Sequence, residues 1–442
     1  MTNYRMLPGV FNADVKYHFD GLATILKLSV SKGKLSILAQ SFASKAYTDW
    51  DSCMFFGTGT GPTLGSHLCF MNPAVNLLPI AGQLWLTIDT SSWGRVDPQT
   101  LATIDDAKVD VGGSFTLNAH PTCDPVTRGC FVQHPCPTHR NIMSNDACIS
   151  QLLPSASTES NGSVNMATAR LTHAKLPYDK LIQHSHSPCI TPRFIVAKLD
   201  AFHGRTPDLA NSGMLRYVHQ GEDDLWLVMD RSTNASRLLT SPGHKFVNNH
   251  FWNCYEEAQA GDVVVESVPA TSTYLDLFFA RRLSEPTLPW PAVLPPALRC
   301  RVPASDASNA VKCAPMFDAS TVLPFDYPTY NPLFKMRPYR FFYAIAAGTP
   351  KARLFDTLIK VDRSNETSVI VARWSSAGVY LTEADFLPRT TSTSPSASLA
   401  ASEDDGLLLS VLYNSTSDQS LFAVFDAKVR AAATTTFTYC MR

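Results

Sequence analysis

Short runs of β-branched and apolar residues, closed off by Gly, Pro, Asn, Asp or Ser, recur along nearly the whole 442-residue chain and constrain its fold more than any other feature. Lys34–Ala39, Gln83–Asp89, Phe194–Leu199, Asp224–Met229, Asp262–Val268, Val369–Trp374, Leu407–Tyr413 and Leu421–Asp426 carry the pattern. Imperfect alternation over such short spans, between turn formers, is the signature of strands. Patterns with a helical period are scarce. Thirty prolines agree with this, because proline is expelled from helix interiors and central strands but accepted in the loops of an all-β fold. The expected class is therefore all-β, and a single all-β unit can use a chain of this length.

Charge narrows the partners. Thirty-seven Lys and Arg stand against 38 Asp and Glu, with no long block of either sign, so no nucleic-acid partner is implied. No stretch approaches the roughly 18 to 20 apolar residues of a membrane span, and Met1-Thr2-Asn3-Tyr4-Arg5 does not open a signal peptide. The expected location is cytoplasmic, with peripheral membrane contact as an addition if the ligand is lipophilic. Eleven scattered cysteines lack the regular spacing of a small disulfide scaffold and read as mostly free thiols. Four N-x-[ST] sequons, at Asn161, Asn234, Asn365 and Asn414, match a short pattern that arises readily by chance.

Two biased stretches read as exposed loops, Pro154–Val164 and Arg389–Ser402. A third, Pro286–Pro303, mixes prolines with Trp290, Val293 and Leu294. It reads as a packed irregular connection, with an apolar lip at a substrate entrance as the alternative. The cluster Cys123, Cys130, His134, Cys136, His139 and Cys148 lacks the C-x2–4-C pairs of structural zinc sites. A variable loop after His120 is the preferred reading there.

Of the twelve histidines, three stand in distinctive contexts: Ala119-His120-Pro121, His186-Ser187-Pro188 and His250-Phe251-Trp252. Taken singly, each reads as a turn or core histidine. Together with other segments in the same order, they resemble the carotenoid oxygenase family. Tyr17-His18-Phe19-Asp20-Gly21, preceded by Arg5 and Pro8-Gly9, is similar to the family's N-terminal entry motif. Phe325-Asp326-Tyr327-Pro328-Thr329-Tyr330-Asn331-Pro332 resembles its EFPxINP motif, with Pro338-Tyr339-Arg340 following. Leu381-Thr382-Glu383-Ala384-Asp385-Phe386, Glu403-Asp404-Asp405-Gly406 with Leu409-Ser410-Val411, and Asp426-Ala427-Lys428 continue the series.

The resemblance implies a seven-bladed β-propeller, one domain over residues 1–442, with Fe(II) on its axis and loops covering one face. The ligands implied are His120, His186 and His250. Asp89, Asp326 and Glu383 stand where the family has glutamates that accept the other ring N–H of the ligands. Asp is one methylene shorter than Glu, so two of the three supports must reach from a shifted backbone, bridge through water, or fail. Neutral imidazoles suit Fe(II) and leave positions open for oxygen or substrate.

Two departures qualify this. No histidine follows His250, so the family's fourth ligand is absent. Cys440 takes its place in the best superposition, either as a thiolate ligand or as a frayed terminal residue. Only four residues precede Arg5, and an N-terminal strand of the propeller is expected to be missing.

The function implied is Fe(II)- and O2-dependent cleavage of a conjugated C=C bond in a carotenoid, apocarotenoid or related polyene. The alternatives are non-oxidative isomerisation or hydrolysis of a retinoid, and a catalytically impaired propeller that binds an apolar polyene.

Overall fold

All eight sequence-expected segments are strands. They occupy Lys34–Ser41, Gln83–Thr87, Phe194–Phe202, Asp224–Asp230, Val263–Ala270, Val369–Ser375, Gly406–Asn414 and Gln419–Asp426. The computed structural model describes residues 2–8, 23–32, 34–44, 73, 75–80, 82–112, 117–136, 146–158, 164–176, 182–202, 223–243, 246–258, 261–271, 293–305, 308–318, 323–348, 352, 354–389, 402–428 and 439–441. Tyr17–Gly21, His139, Asn161, Trp290 and most of Arg389–Ser402 lie outside them. Among the described residues, helix is confined to the 3-10 turn Pro332–Phe334 and to Val293.

The chain divides into two compact units. The first comprises Met1–Lys245 and Leu275–Ser284, and the second Phe246–Tyr274 and Glu285–Arg442. The first unit holds a three-stranded sheet that begins with Thr2–Pro8, an eight-stranded sheet spanning Asn76–Ile80 to Val164–Lys175, and a five-stranded sheet from Ile182–His184 to Ser236–Ser241. The second holds two four-stranded sheets, Val247–Glu256 to Lys312–Pro315 and Phe325–Thr329 to Val369–Ser375. Its third sheet is five-stranded and ends at Tyr439–Met441.

The described residues thus form six hydrogen-bonded sheets rather than the seven blades expected. The difference has a local cause. The eight-stranded sheet consists of two antiparallel four-stranded runs. They are joined only where Val164–Lys175 meets Thr103–Val109 in parallel, through the pairs Asn165↔Lys108 and Met166↔Val109.

Apolar alternation places the core. In the first unit Trp85 and Trp93 meet edge to face at 6.4 Å among Ile80, Ile88, Val109 and Val132, all buried. Gly94 lies against the Phe42 ring so closely that a Cβ there would stand 2.2 Å from Phe42 Cζ. A hydrogen is what that contact allows. In the second unit Phe317, Phe325 and Phe342 pack through ring contacts of 5.8 Å between neighbours.

Three expectations need correction. Pro154–Val164 is not simply a loop, because Asp146–Thr158 and Val164–Lys175 pair as long strands, and Pro154 is accommodated in a register shift between Leu152 and Ala156. The segment after His120 likewise contains sheet among the described residues, with Thr122–Cys123 paired to Cys130–Pro135, while 137–145 lie outside them. The cysteines are not mostly free thiols. Cys123–Cys130, Cys136–Cys148 and Cys300–Cys313 are disulfides, and Cys189 and Cys254 are also disulfide-bonded. Spacing along the chain carried no sign of this, because antiparallel register is what sets Cys123 opposite Cys130 and Cys300 opposite Cys313.

The connection Pro286–Pro303 ends in regular structure. Val293 and Leu294 are buried, and Leu298–Val302 is a strand.

Candidate metal centre

His120 and His186 are set in the first unit by a clamp at the end of strand Gln83–Thr87. Just beyond that strand, the Asp89 carboxylate accepts the Ala119 amide N–H at 2.9 Å. Thr87 donates its hydroxyl to the Ala119 carbonyl at 2.5 Å. Next to them Asn118 accepts the Gln133 amide at 2.7 Å, tying the segment to strand Cys130–Pro135. His120 is therefore held by backbone on both sides, and its own N–H donates to the His186 carbonyl at 3.3 Å.

The same Asp89 carboxylate orients the second ring. Both its oxygens lie 3.1 Å from His186 Nδ1. An ionised carboxylate only accepts, so Nδ1 carries the proton and a neutral ring presents a lone pair at Nε2. That Nε2 stands 3.1 Å from His120 Nε2, with the rings edge to face at 76°.

In the second unit His250 lies on strand Val247–Glu256, opposite Val268. Its Nδ1 donates to Asp326 Oδ1 at 2.8 Å, and this oxygen also accepts the Tyr327 amide at 2.7 Å. Asp326 is fully buried. It sits where the pairing of Phe325–Thr329 with Phe341–Ala346 shifts register, and Tyr327 adopts a positive φ of 51°. A bulge turns the strand locally, and the left-handed backbone of a residue carrying a large side chain is costly. That cost is met at the point where the chain aims a carboxylate at an imidazole.

The surroundings of His250 are closely tied. The Tyr327 ring lies 5.3 Å from the His250 ring. Burial, then the neighbouring charges of Asp326 and Glu383, push its phenol pKa well up, so it stays protonated. Asn253 donates to the carbonyls of Phe334 and Arg337 and accepts the Met336 amide, so the loop around the 3-10 turn is fixed to the histidine strand. Trp252 donates to the Tyr339 hydroxyl at 2.5 Å, and Tyr339 in turn donates to Glu266. Glu266 is fully buried and also accepts from Arg299 and Arg363. Tyr327, Asn253 and Glu266 were not singled out in the sequence. Tyr327 and Tyr339 lie within the motifs, but their contacts with His250 and Glu266 are made by residues far along the chain.

The three histidines form a group compatible with a metal site: one ring nitrogen from each of His120, His186 and His250 lies within 4.8 Å of the others. Two nitrogens each about 2.1 Å from one ion and at right angles are ~3 Å apart, so the 3.1 Å between the Nε2 atoms of His120 and His186 fits neighbouring ligands. Imidazole sets suit Fe, Zn, Cu and Ni alike. Glu383 is exposed, and its charge reaches Tyr327. Cys440 lies in Tyr439–Met441, opposite Leu421, so its backbone is paired rather than frayed. Its side chain is outside the described residues.

The comparisons agree with this picture. The family described as retinal pigment epithelial membrane protein matches residues 2–439. A variant of Synechocystis apocarotenoid oxygenase is similar in structure, with a TM-score of 0.74 and 18% identity, over 100% of this chain and 89% of that one. A chimera of apocarotenoid oxygenase and RPE65 gives 0.75 and 18% over the same shares. The cobalt-substituted Synechocystis enzyme gives 0.75 and 17%, again over 100% and 89%. No curated protein sequence matches the chain closely enough to be recognised as a relative. The fold is an all-β propeller, and the chain belongs to the carotenoid oxygenase family.

Proposed function

We propose that this chain is an Fe(II)-dependent dioxygenase that cleaves a conjugated C=C bond of a carotenoid, apocarotenoid or related polyene, one molecule of O2 giving two carbonyl products. The observation that carries the reading is the three-imidazole group, two of whose rings donate Nδ1–H to carboxylates. His120, His186 and His250 hold the metal. Asp89 and Asp326 fix two of those rings in the tautomer whose Nε2 can bind it, with Glu383 as a third acid outside the ligands. Cys440 is the candidate fourth ligand. Iron held by neutral imidazoles supplies the redox chemistry for dioxygen insertion into the alkene. The protein's own part is orientation: the Asp89 and Asp326 hydrogen bonds keep imidazole lone pairs directed at one point, and protonated Tyr327 covers one side of His250.

The test is to purify the chain under matched iron supply, then measure bound iron and O2-dependent bleaching of a panel of carotenoids and apocarotenoids. The expected result is iron retention with bleaching of at least one polyene, both lost in His250→Ala. Bound metal with substrate turnover but no O2 uptake would replace this reading with isomerisation. Polyene binding without metal or turnover would replace it with a binding protein.

A further inference from the structure

Every described cysteine side chain stands in a disulfide. Cys123 and Cys130 are register partners across the hairpin Thr122–Cys123/Cys130–Pro135, with Cα atoms 4.0 Å apart. Cys300 and Cys313 are register partners in a different sheet, also 4.0 Å apart. Cys136 and Cys148 are 5.3 Å apart, and Cys189 and Cys254 complete the eight. Cysteines used only as small apolar residues fall anywhere in a core. Here two directly opposed cross-strand pairs and a third close pair require sequence and register to agree three times. Among the described residues the single group able to hold a metal is the histidine triad, so these pairs are not metal sites. Cytosolic reductants keep such thiols reduced, whereas oxidising compartments close them.

The sequons give an independent observation. All three that lie among the described residues are at hairpin tips. Asn234-Ala235-Ser236 closes the hairpin between Asp224–Asp230 and Ser236–Ser241. Asn365-Glu366-Thr367 lies in the turn between Thr357–Asp362 and Val369–Ser375. Asn414-Ser415-Thr416 opens the turn before Gln419–Asp426. Asn234 and Asn365 are exposed, while Asn414 is half-buried and its side chain accepts the Thr416 amide at 2.9 Å. A sequon is usable only where the side-chain amide can reach a modifying enzyme on the surface, and Asn234 and Asn365 meet that condition.

We propose that the chain matures in an oxidising secretory compartment, as a disulfide-bonded protein N-glycosylated at Asn234 and Asn365. The location differs from the cytoplasmic one expected from the sequence. Each S–S bond forms with loss of two thiol protons and two electrons, taken up by a protein disulfide whose own S–S bond breaks to give two thiols. At each asparagine the side-chain nitrogen forms a C–N bond to the anomeric carbon of an oligosaccharide carried on a polyprenyl diphosphate. The C–O bond to the diphosphate breaks, the diphosphate leaves, and the amide gives up a proton.

The test uses the full chain isolated from its cells, with free thiols trapped at lysis in acid and N-ethylmaleimide. Peptide mapping before and after reduction reads the cysteines, and glycosidase release in heavy-oxygen water reads the asparagines. Cys123, Cys130, Cys136, Cys148, Cys300 and Cys313 are expected to escape the first label and to react only after reduction. The glycosidase is expected to increase gel mobility and to convert Asn234 and Asn365 to labelled Asp. Asn365→Gln is expected to lose one glycan-sized step of that shift with the disulfides intact. Label on the six cysteines before reduction overturns the proposal, and so does recovery of Asn234 and Asn365 unmodified.

Discussion

His250 and Asp326 are joined by a 2.8 Å hydrogen bond whose acceptor oxygen also takes the Tyr327 amide, so a fully buried carboxylate serves a side chain and its own backbone at once. The carboxylate cannot rotate away from the imidazole without abandoning the bulge that it caps. Asp326→Ala is accordingly expected to weaken metal retention by about 10- to 100-fold. Competition with a graded chelator measures this, with circular dichroism checking that the sheets persist. Unchanged retention would remove Asp326 from the metal site.

Cys440 offers a test at the chain's end. Cys440→His is expected to raise iron retention and polyene bleaching together, since it restores a fourth imidazole to the donor set. If both stay at the wild-type level, Cys440 does not face the metal, even though its backbone is paired opposite Leu421.

His134 gives the fold a pH dependence separate from the metal. It is buried, with Nδ1 donating to the Pro135 carbonyl and Nε2 accepting from Ser150, both at 2.8 Å. Burial lowers its pKa to about 4 from an ordinary 6.5. Between those values the unfolded chain binds a proton that the folded chain refuses. The contribution of His134 to stability is therefore full above about pH 6.5, declines as pH falls toward 4, and levels off below, a loss on the order of 3 kcal/mol. Urea unfolding at several pH values should show this slope, and His134→Gln should flatten it whatever its effect on absolute stability.

The Glu266 carboxylate holds a buried network in the second unit, accepting from Arg299, Arg363 and Tyr339. Removing one partner of a buried ion pair strands the other charge. Glu266→Ala should cost roughly 3–5 kcal/mol, read as a lower urea midpoint with an unchanged slope. A change under about 1 kcal/mol, the scale of surface pairs, would mean that water reaches the two guanidinium groups.

The disulfide Cys300–Cys313 closes a loop of moderate length, so the double replacement Cys300→Ser/Cys313→Ser is expected to destabilise by about 2–4 kcal/mol. Differential scanning calorimetry, with and without reductant, provides the measurement. Reductant should lower the melting temperature of the parent chain more than that of the variant.

The strands were legible because alternation and turn chemistry are local, and Phe194–Phe202 and Asp224–Asp230 needed nothing else. Asp89 and Asp326 were found through motif resemblance alone. What makes them acceptors, a clamp on Ala119 and a bulge at Tyr327, depends on partners far along the chain. The cysteine bonds were missed for the same reason. Six residues separate Cys123 from Cys130, which fits no metal motif, yet the hairpin turn headed by Asp124 and Pro125 brings them face to face. Sheet count failed at a contact of only two residue pairs.

That contact has a kinetic consequence. The seam between Thr103–Val109 and Val164–Lys175 joins residues more than fifty positions apart, and its two ladder pairs are supplemented by the Asp110 amide donating to Met166 at 3.0 Å. Each adjoining antiparallel run is built mostly from neighbours in sequence, so its chain closures are cheap, whereas the seam must wait until both runs stand in place. Assembly should therefore end there, with Val109 and Met166 closing into the shared core. The amide of exposed Asp110 is expected to exchange through a low-energy fluctuation at the rim of the seam, while Met166 stays protected in the core that it shares with Trp85 and Val132.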